Sequence, residues 1–187
     1  SIISGSKWDN VGTDSNGTAL SFSYWNGNDD STSYSYSEGG TRSSMDSHAT
    51  GTNNSVAHTK VFNEWDKAAS FNFEEITETG SDGNPVGDIR VAILDTMPSG
   101  AAAYAYYPSS TAKGGDVYYG SAMMGNATDT DFVEGGYNWY TALHEIGHAL
   151  GLSHPFDGGA ADGSTLNLNL DSQRNTVMTY VQTDRNV

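Results

Sequence analysis

The run H-E-I-G-H-A-L-G-L-S-H, from His144 to His154, decides how this chain folds and what it can bind. His144 and His148 are four residues apart. On a helix they project from one face, a turn apart, close enough to hold a single ion. The flanks support a helix. Tyr140, Leu143, Ile146, Ala149, Leu150 and Leu152 are apolar at i+3 and i+4 steps, and no proline interrupts from Asn138 to Ser153. Gly151 allows a left-handed residue that ends the helix and turns the chain back. That reversal can carry His154 to the same ion, and Pro155 bars any continuation of the helix.

Three neutral imidazoles leave a zinc ion its full double charge and an open position, where the pKa of water falls toward about 7. Glu145 follows the first histidine, so it stands beside the ion and can take a proton from that water. It can then return the proton to a leaving amine. The pattern predicts metal-assisted amide hydrolysis without a covalent acyl-enzyme. A lone pair of histidines at this spacing more often serves packing or the surface; the eleven-residue pattern outweighs that reading.

H-E-x-x-H-x-x-G-x-x-H resembles the signature of the metzincin zinc proteases. A methionine in a tight turn beneath the metal is their second mark, and Met178, in N-T-V-M-T-Y, fits that place. Its flexible, polarisable side chain suits an apolar floor under imidazoles. T-V-M-T-Y resembles the S-x-M-x-Y turn of serralysins and astacins, with Thr176 for the usual serine. In both families the tyrosine is a further zinc ligand at rest and a hydrogen-bond donor to the tetrahedral intermediate, which implies these roles for Tyr180. Pro155 after the third histidine resembles the serralysins, whereas astacins usually carry Glu there and matrixins Ser. The specific match covers roughly residues 136 to 180.

The resemblance implies a secreted, serralysin-like zinc endopeptidase. Its metal ligands would be His144, His148, His154 and Tyr180, with Glu145 and Tyr180 as catalytic groups. Protein or peptide substrates would bind as an added strand on a sheet edge, for which Ala101 to Tyr107 is the candidate. Two alternatives are a non-catalytic, zinc-containing binding module and an astacin-like or matrixin-like protease. The calcium-binding Gly-rich repeats that follow the catalytic domain in serralysins do not occur in this sequence. The acidic loop Asp157 to Asp162 is a weaker candidate for calcium. His48 and His58 lack partners at ligand spacing and read as structural or surface residues. D-S-N-G at Asp14 lacks the glutamate that would complete a calcium loop.

Composition sets the outer bounds. The 187 residues suit one catalytic domain, with an N-terminal subdomain over 1–151 and a C-terminal subdomain over 152–187. There are no cysteines, which removes disulfides, thiol catalysis and thiolate ligands. The net charge of −15 argues against nucleic acid and anionic membranes as partners, and is most simply a solubility feature. No run of about 18 apolar residues occurs, so no membrane-spanning helix is expected. A monomer is expected.

The element order predicts an α/β (α+β) fold of metzincin type. It would have a twisted, mixed five-stranded sheet with an antiparallel edge strand, two long helices and an irregular C-terminal part holding the Met-turn. Thr18 to Trp25 alternates like a half-buried strand, after a polar, Gly-rich arm. Ser55 to Ala69 reads as a helix with Ser55 as cap and Val56, Val61, Phe62, Trp65, Ala68 and Ala69 on one face. Phe71 to Thr77, Asp88 to Leu94, Ala102 to Tyr107 and Gly115 to Tyr119 read as strands, with Asp88 to Leu94 central.

Overall fold

The computed structural model describes residues 3–8, 19–26, 42, 43, 45, 54–69, 71–78, 86–124, 132–158, 162–167 and 169–182. His48 and Asp14 lie outside them.

Strand β4 (Ile89–Leu94) is the spine of the molecule, and all six of its residues are buried. Burial on both faces explains its unbroken apolar run with only Arg90 inside it. Beside it stand β1 (Ser21–Tyr24) and β6 (Val117–Gly120), both parallel to it. Strand β3 (Glu74–Ile76) lies parallel to β1, and β5 (Ala103–Ala105) runs antiparallel to β6, giving the order β3-β1-β4-β6-β5. The two residues of β2 (Arg42–Ser43) pair antiparallel with the end of β4. The mixed five-strand order, with Asp88 to Leu94 central and an antiparallel strand at one edge, is as the sequence predicts.

Helices α1 (Asn54–Ala69) and α3 (Tyr137–Ala149) cover one face of this sheet. Ile89, Val91 and Ile93 point into that layer, where Val61 and Phe62 of α1 meet Ala142, Ile146 and Ala149 of α3. Phe62 stacks on Phe22 of β1 at 4.0 Å between ring centres. Burying a side chain of this size contributes about 1.5–3 kcal/mol. The alternate residues Ala92 and Leu94 form a smaller cluster with Tyr118 on the other face. A short helix α2 (Ser121–Met124) follows β6.

Helix α1 starts at Asn54, so Ser55 lies inside it and is not its cap. Its buried side is only in part the one the apolar residues mark. Asn54, His58, Val61 and Phe62 are buried, while Val56, Ala68 and Ala69 are exposed. Polar side chains can take core positions when hydrogen bonds satisfy them. Asn54 Nδ2 donates to the Met45 carbonyl at 3.3 Å, and His58 lies between the hydroxyls of Tyr119 (2.7 Å) and Tyr24 (3.1 Å). A neutral imidazole donates through one nitrogen and accepts through the other, so both contacts suit it. Burial pushes the His58 pKa down to about 3. His58 is thus a structural core residue.

Beneath the sheet's other face a second polar pin joins β4, β1 and the segment after β3. The buried Arg90 guanidinium meets the buried Glu78 carboxylate through Nε at 2.7 Å and a second nitrogen at 2.6 Å. Ser23 Oγ donates to the same carboxylate at 2.7 Å. This side chain of β4 therefore fixes both β1 and the end of the segment that follows β3.

Candidate metal centre

Helix α3 carries His144, Glu145 and His148, all buried, on the side facing the C-terminal segment. It ends as its sequence dictates. Gly151 has φ of 98°, a left-handed conformation that favours glycine. A side chain there would also meet the Ser6 carbonyl oxygen at 2.4 Å. After the turn, His154 comes back to the helix.

The three Nε2 atoms converge. His144 to His154 and His148 to His154 are 3.1 Å, and His148 to His144 is 3.2 Å. Each ring turns its other nitrogen to an acceptor. His144 Nδ1 donates to the Val177 carbonyl at 2.8 Å, His148 Nδ1 to the Leu152 carbonyl at 2.7 Å, and His154 Nδ1 to Asp157 Oδ2 at 2.8 Å. A carbonyl can only accept, so Nδ1 carries the proton and Nε2 presents its lone pair. Three lone pairs aimed at one point repel unless a cation lies between them. Tetrahedral zinc with nitrogen at 2.0–2.1 Å puts its donors about 3.3 Å apart. The spacing and the donor set fit zinc, and among the described residues this is the one group of three or more such side chains that could hold a metal.

Burial lowers the pKa of His144 to about 4 and of His148 to about 3, which favours the neutral, ligating form. Burial also pushes the Glu145 carboxyl up to about 8. Glu145 lines a cavity of about 270 Å³ with Ala101 to Ala103 at the start of β5, Tyr137, Tyr140, Thr141 and His144 of α3, and Tyr180. This cavity brings the edge strand, the helix and the C-terminal segment to one opening. Tyr180 is exposed, and its hydroxyl donates to His154 Nε2 at 2.8 Å. Its ring stacks on His144 at 5.2 Å. Its pKa is raised, by burial of the hydroxyl first and by the nearby Glu145 second.

Met178 is fully buried under the helix. A side chain added at Gly147 would meet its sulfur at 2.5 Å, so the glycine between Glu145 and His148 gives the methionine its room. The turn around it is tied by side chains. Met178 N–H donates to Thr176 Oγ1 and Val181 N–H to Thr179 Oγ1, each at 3.1 Å. Thr179 Oγ1 donates to the buried Asp171, and Tyr140 O–H donates to the Thr179 carbonyl. Thr176 therefore does the work that a serine would do in this turn.

The structure brings His144, Glu145, His148, His154, Met178 and Tyr180 together. It adds residues the sequence reading did not assign to the site. Asp157 orients His154, although the sequence marked it as a calcium candidate; its i+3 spacing from the histidine was the available signal. Phe156 lies parallel to His154 at 5.0 Å, and Tyr107 meets His148 edge-on at 5.6 Å. Asp162 Oδ1 accepts from Ser164 N–H at 3.0 Å and Ser164 Oγ at 2.6 Å.

The Reprolysin_5 family model, described as metallo-peptidase family M12, matches residues 7–187. Among curated relatives, Serralysin C of Dickeya chrysanthemi is 32% identical over 120 residues, which is 62% of this chain and 24% of the relative. Serralysin of Proteus mirabilis is 33% identical over 132 residues, 65% of this chain and 27% of the relative. Serralysin of Photorhabdus sp. (strain Az29) is 31% identical over 122 residues, 62% of this chain and 24% of the relative. The chain thus spans about a quarter of the length of these relatives. With a family match over nearly its whole length and three histidines gathered as zinc requires, this chain belongs to metallo-peptidase family M12 and is a serralysin-like metzincin.

Proposed function

We propose that this chain is the catalytic domain of an exported zinc endopeptidase, in which His144, His148 and His154 hold the metal and Glu145 moves the proton. One observation carries the reading. Three Nε2 lone pairs meet at 3.1–3.2 Å beside a buried carboxyl that opens onto a cavity. A bound zinc ion supplies the positive charge that polarises a carbonyl and acidifies water.

The chain's own groups do the rest. Burial alone holds the Glu145 proton too tightly for a base at neutral pH. A double positive charge among neutral imidazoles opposes that shift, so the carboxylate becomes available when the site is loaded. Glu145 then takes a proton from water and returns it to the leaving amine. The Tyr180 hydroxyl, within reach of the same centre, donates to the oxygen that gains negative charge. Strand β5 ends the sheet order in the antiparallel sense, and its first residue with the two before it forms one wall of the cavity. A peptide added along it would lie across this cavity, with backbone pairing supplying affinity and little side-chain selectivity. The resemblance to serralysins supports export.

The test is casein hydrolysis by Glu145→Gln alongside zinc content. The variant should keep one equivalent of zinc and lose roughly 10²–10⁴-fold in rate. A chelator should abolish wild-type activity and added zinc restore it. A variant as active as wild type would remove Glu145 from the chemistry.

A further inference from the structure

We infer that the N-terminal segment 3–8 is a clasp on the metal centre, with Trp8 and the Ile3–Ser4 backbone as positioning groups for His148 and His154. The inference rests on the reading of the three histidines as metal ligands.

The turn that follows α3 has a demanding task. Within six residues it must end the helix, present the Leu152 carbonyl to His148 Nδ1 and return His154 to the helix face. Its own backbone ties are few. Leu152 N–H donates to the Gly147 carbonyl and Gly151 N–H to that of His148, each at 2.9 Å. Further ties come from the far end of the chain. Ile3 forms an isolated antiparallel bridge with Leu152. Ser4 N–H donates to the Gly151 carbonyl at 2.8 Å. Trp8 Nε1 donates to the Ala149 carbonyl at 2.9 Å, a contact across 141 residues of sequence. Carbonyls in the last turn of a helix lack partners within it, so a donor there fixes how the helix ends.

The seat for this segment is built into the opposing surface. The Ser6 carbonyl occupies the place a side chain at Gly151 would fill, at 2.4 Å. The Trp8 ring occupies the place a side chain at Gly115 would fill, also at 2.4 Å. Gly115 belongs to the turn between β5 and β6, and its N–H donates to the carbonyl of Tyr107, whose ring packs on His148. The clasp therefore grips both the turn that presents two ligands and the loop that carries an aromatic neighbour of one of them. Ligand orientation decides metal retention more than it decides folding, because an imidazole turned away loses its bond while the core stays intact.

The experiment compares zinc release to a chromophoric chelator for the wild-type chain, Trp8→Phe, Ser4→Pro and Trp65→Phe. Trp8→Phe keeps most of the ring volume and removes the Nε1 donor; Ser4→Pro removes the N–H that reaches Gly151. Trp65→Phe is the matched comparison. Its indole also donates to a carbonyl of α3, that of Leu143 at 3.2 Å, eight residues before Gly151 and not at the helix end. Trp8→Phe and Ser4→Pro should release zinc roughly three- to tenfold faster than wild type, less than the roughly 10–100-fold effects of groups that bond a metal ligand directly. Trp65→Phe should stay near the wild-type rate. The visible spectrum of the cobalt-substituted chain should change in the first two variants and not in the third, a readout that a purely structural role would not move. Equal release rates with superimposable cobalt spectra would overturn the clasp and leave the ligand reading intact. A wild-type chain that holds no metal would overturn both. If Trp8→Phe does not fold, Ser4→Pro decides by the same criteria.

Discussion

The two sides of Gly151 reach the same metal centre by different physical means. Before it, His144, Glu145 and His148 stand on a helix whose repeating backbone hydrogen bonds fix all three directions at once. After it, His154, Met178 and Tyr180 sit on a segment with neither helix nor strand among its described residues. There the geometry is set by individual polar groups: Asp157 on His154, Thr176 on Met178 N–H, Thr179 and Asp171 around the turn. A helix tolerates the loss of one hydrogen bond because its neighbours hold. An irregular segment has no such redundancy, so single polar substitutions in it should disturb the site directly.

The largest effect should come from the tyrosine at the end of that segment. Tyr180→Phe keeps the ring that stacks on His144 but removes the hydroxyl at His154 Nε2. We expect kcat to fall by roughly 10²-fold, with KM changed far less and zinc retained. An unchanged kcat would confine the irregular side to holding metal and leave the chemistry to the helix. Next comes Asp171→Ala, which strands the buried Thr179 hydroxyl without its acceptor. A hydrogen bond to a charged group is worth about 1.5–3 kcal/mol, so urea denaturation should show a loss of about 2 kcal/mol. The same variant should also lower kcat, because Thr179 precedes Tyr180. Lost stability with full activity would show that the turn is more redundant than its few bonds suggest.

This contrast also explains what the sequence could and could not tell. The strand at 89–94 was legible from its dense apolar run, and the helix at 137–149 from apolar residues at i+3 and i+4 steps. The metal ligands were legible because a helix turns sequence spacing into spatial spacing. Helix α1 was placed almost to the residue, yet its buried face was only partly foreseen. Asn54 and His58 enter the core through hydrogen bonds to partners elsewhere in the sequence, which hydrophobic periodicity does not register. Asp171 was passed over for the same reason, and so was the tie of Asp157 to His154. The polar N-terminal arm read as a simple loop, because nothing local marks Trp8 as a partner of Ala149. In each case the missing information was a tertiary contact.

Gly147→Ala probes the join between the two sides. Alanine would favour an isolated helix by about 0.8–1 kcal/mol. Here its methyl would meet the Met178 sulfur at 2.5 Å and the Trp65 ring at 3.2 Å. Met178 is fully buried and cannot swing into solvent, so overpacking of about 1–3 kcal/mol should prevail. The variant should be less stable by about 1 kcal/mol on balance. Pairing it with Met178→Val, which frees space, should cost less than the two single losses added. Strict additivity would mean that helix and turn do not share this contact energetically.

His58 offers the smallest and most selective test, since it belongs to the core beneath the regular side and to neither half of the metal centre. Its folded pKa of about 3 lies below the ordinary histidine value, because burial between two tyrosines disfavours the charged ring. The unfolded chain therefore binds a proton below pH 6.5 that the folded chain refuses. The stabilisation is complete above about pH 6.5 and is lost as pH falls toward 3, at about 1.4 kcal/mol per unit. His58→Gln should cost about 1–2 kcal/mol at pH 7.5 through weakened hydrogen bonds and packing. It cannot take up the proton, so its deficit should shrink by about 1.4 kcal/mol by pH 5.5. His144 and His148 titrate alike in both proteins and cancel from the difference. Chemical denaturation of the pair across this range reads the result; a deficit that stays constant with pH would mean that folding does not shift the His58 pKa, and one that grows as pH falls would mean that the two tyrosine contacts hold a charged ring.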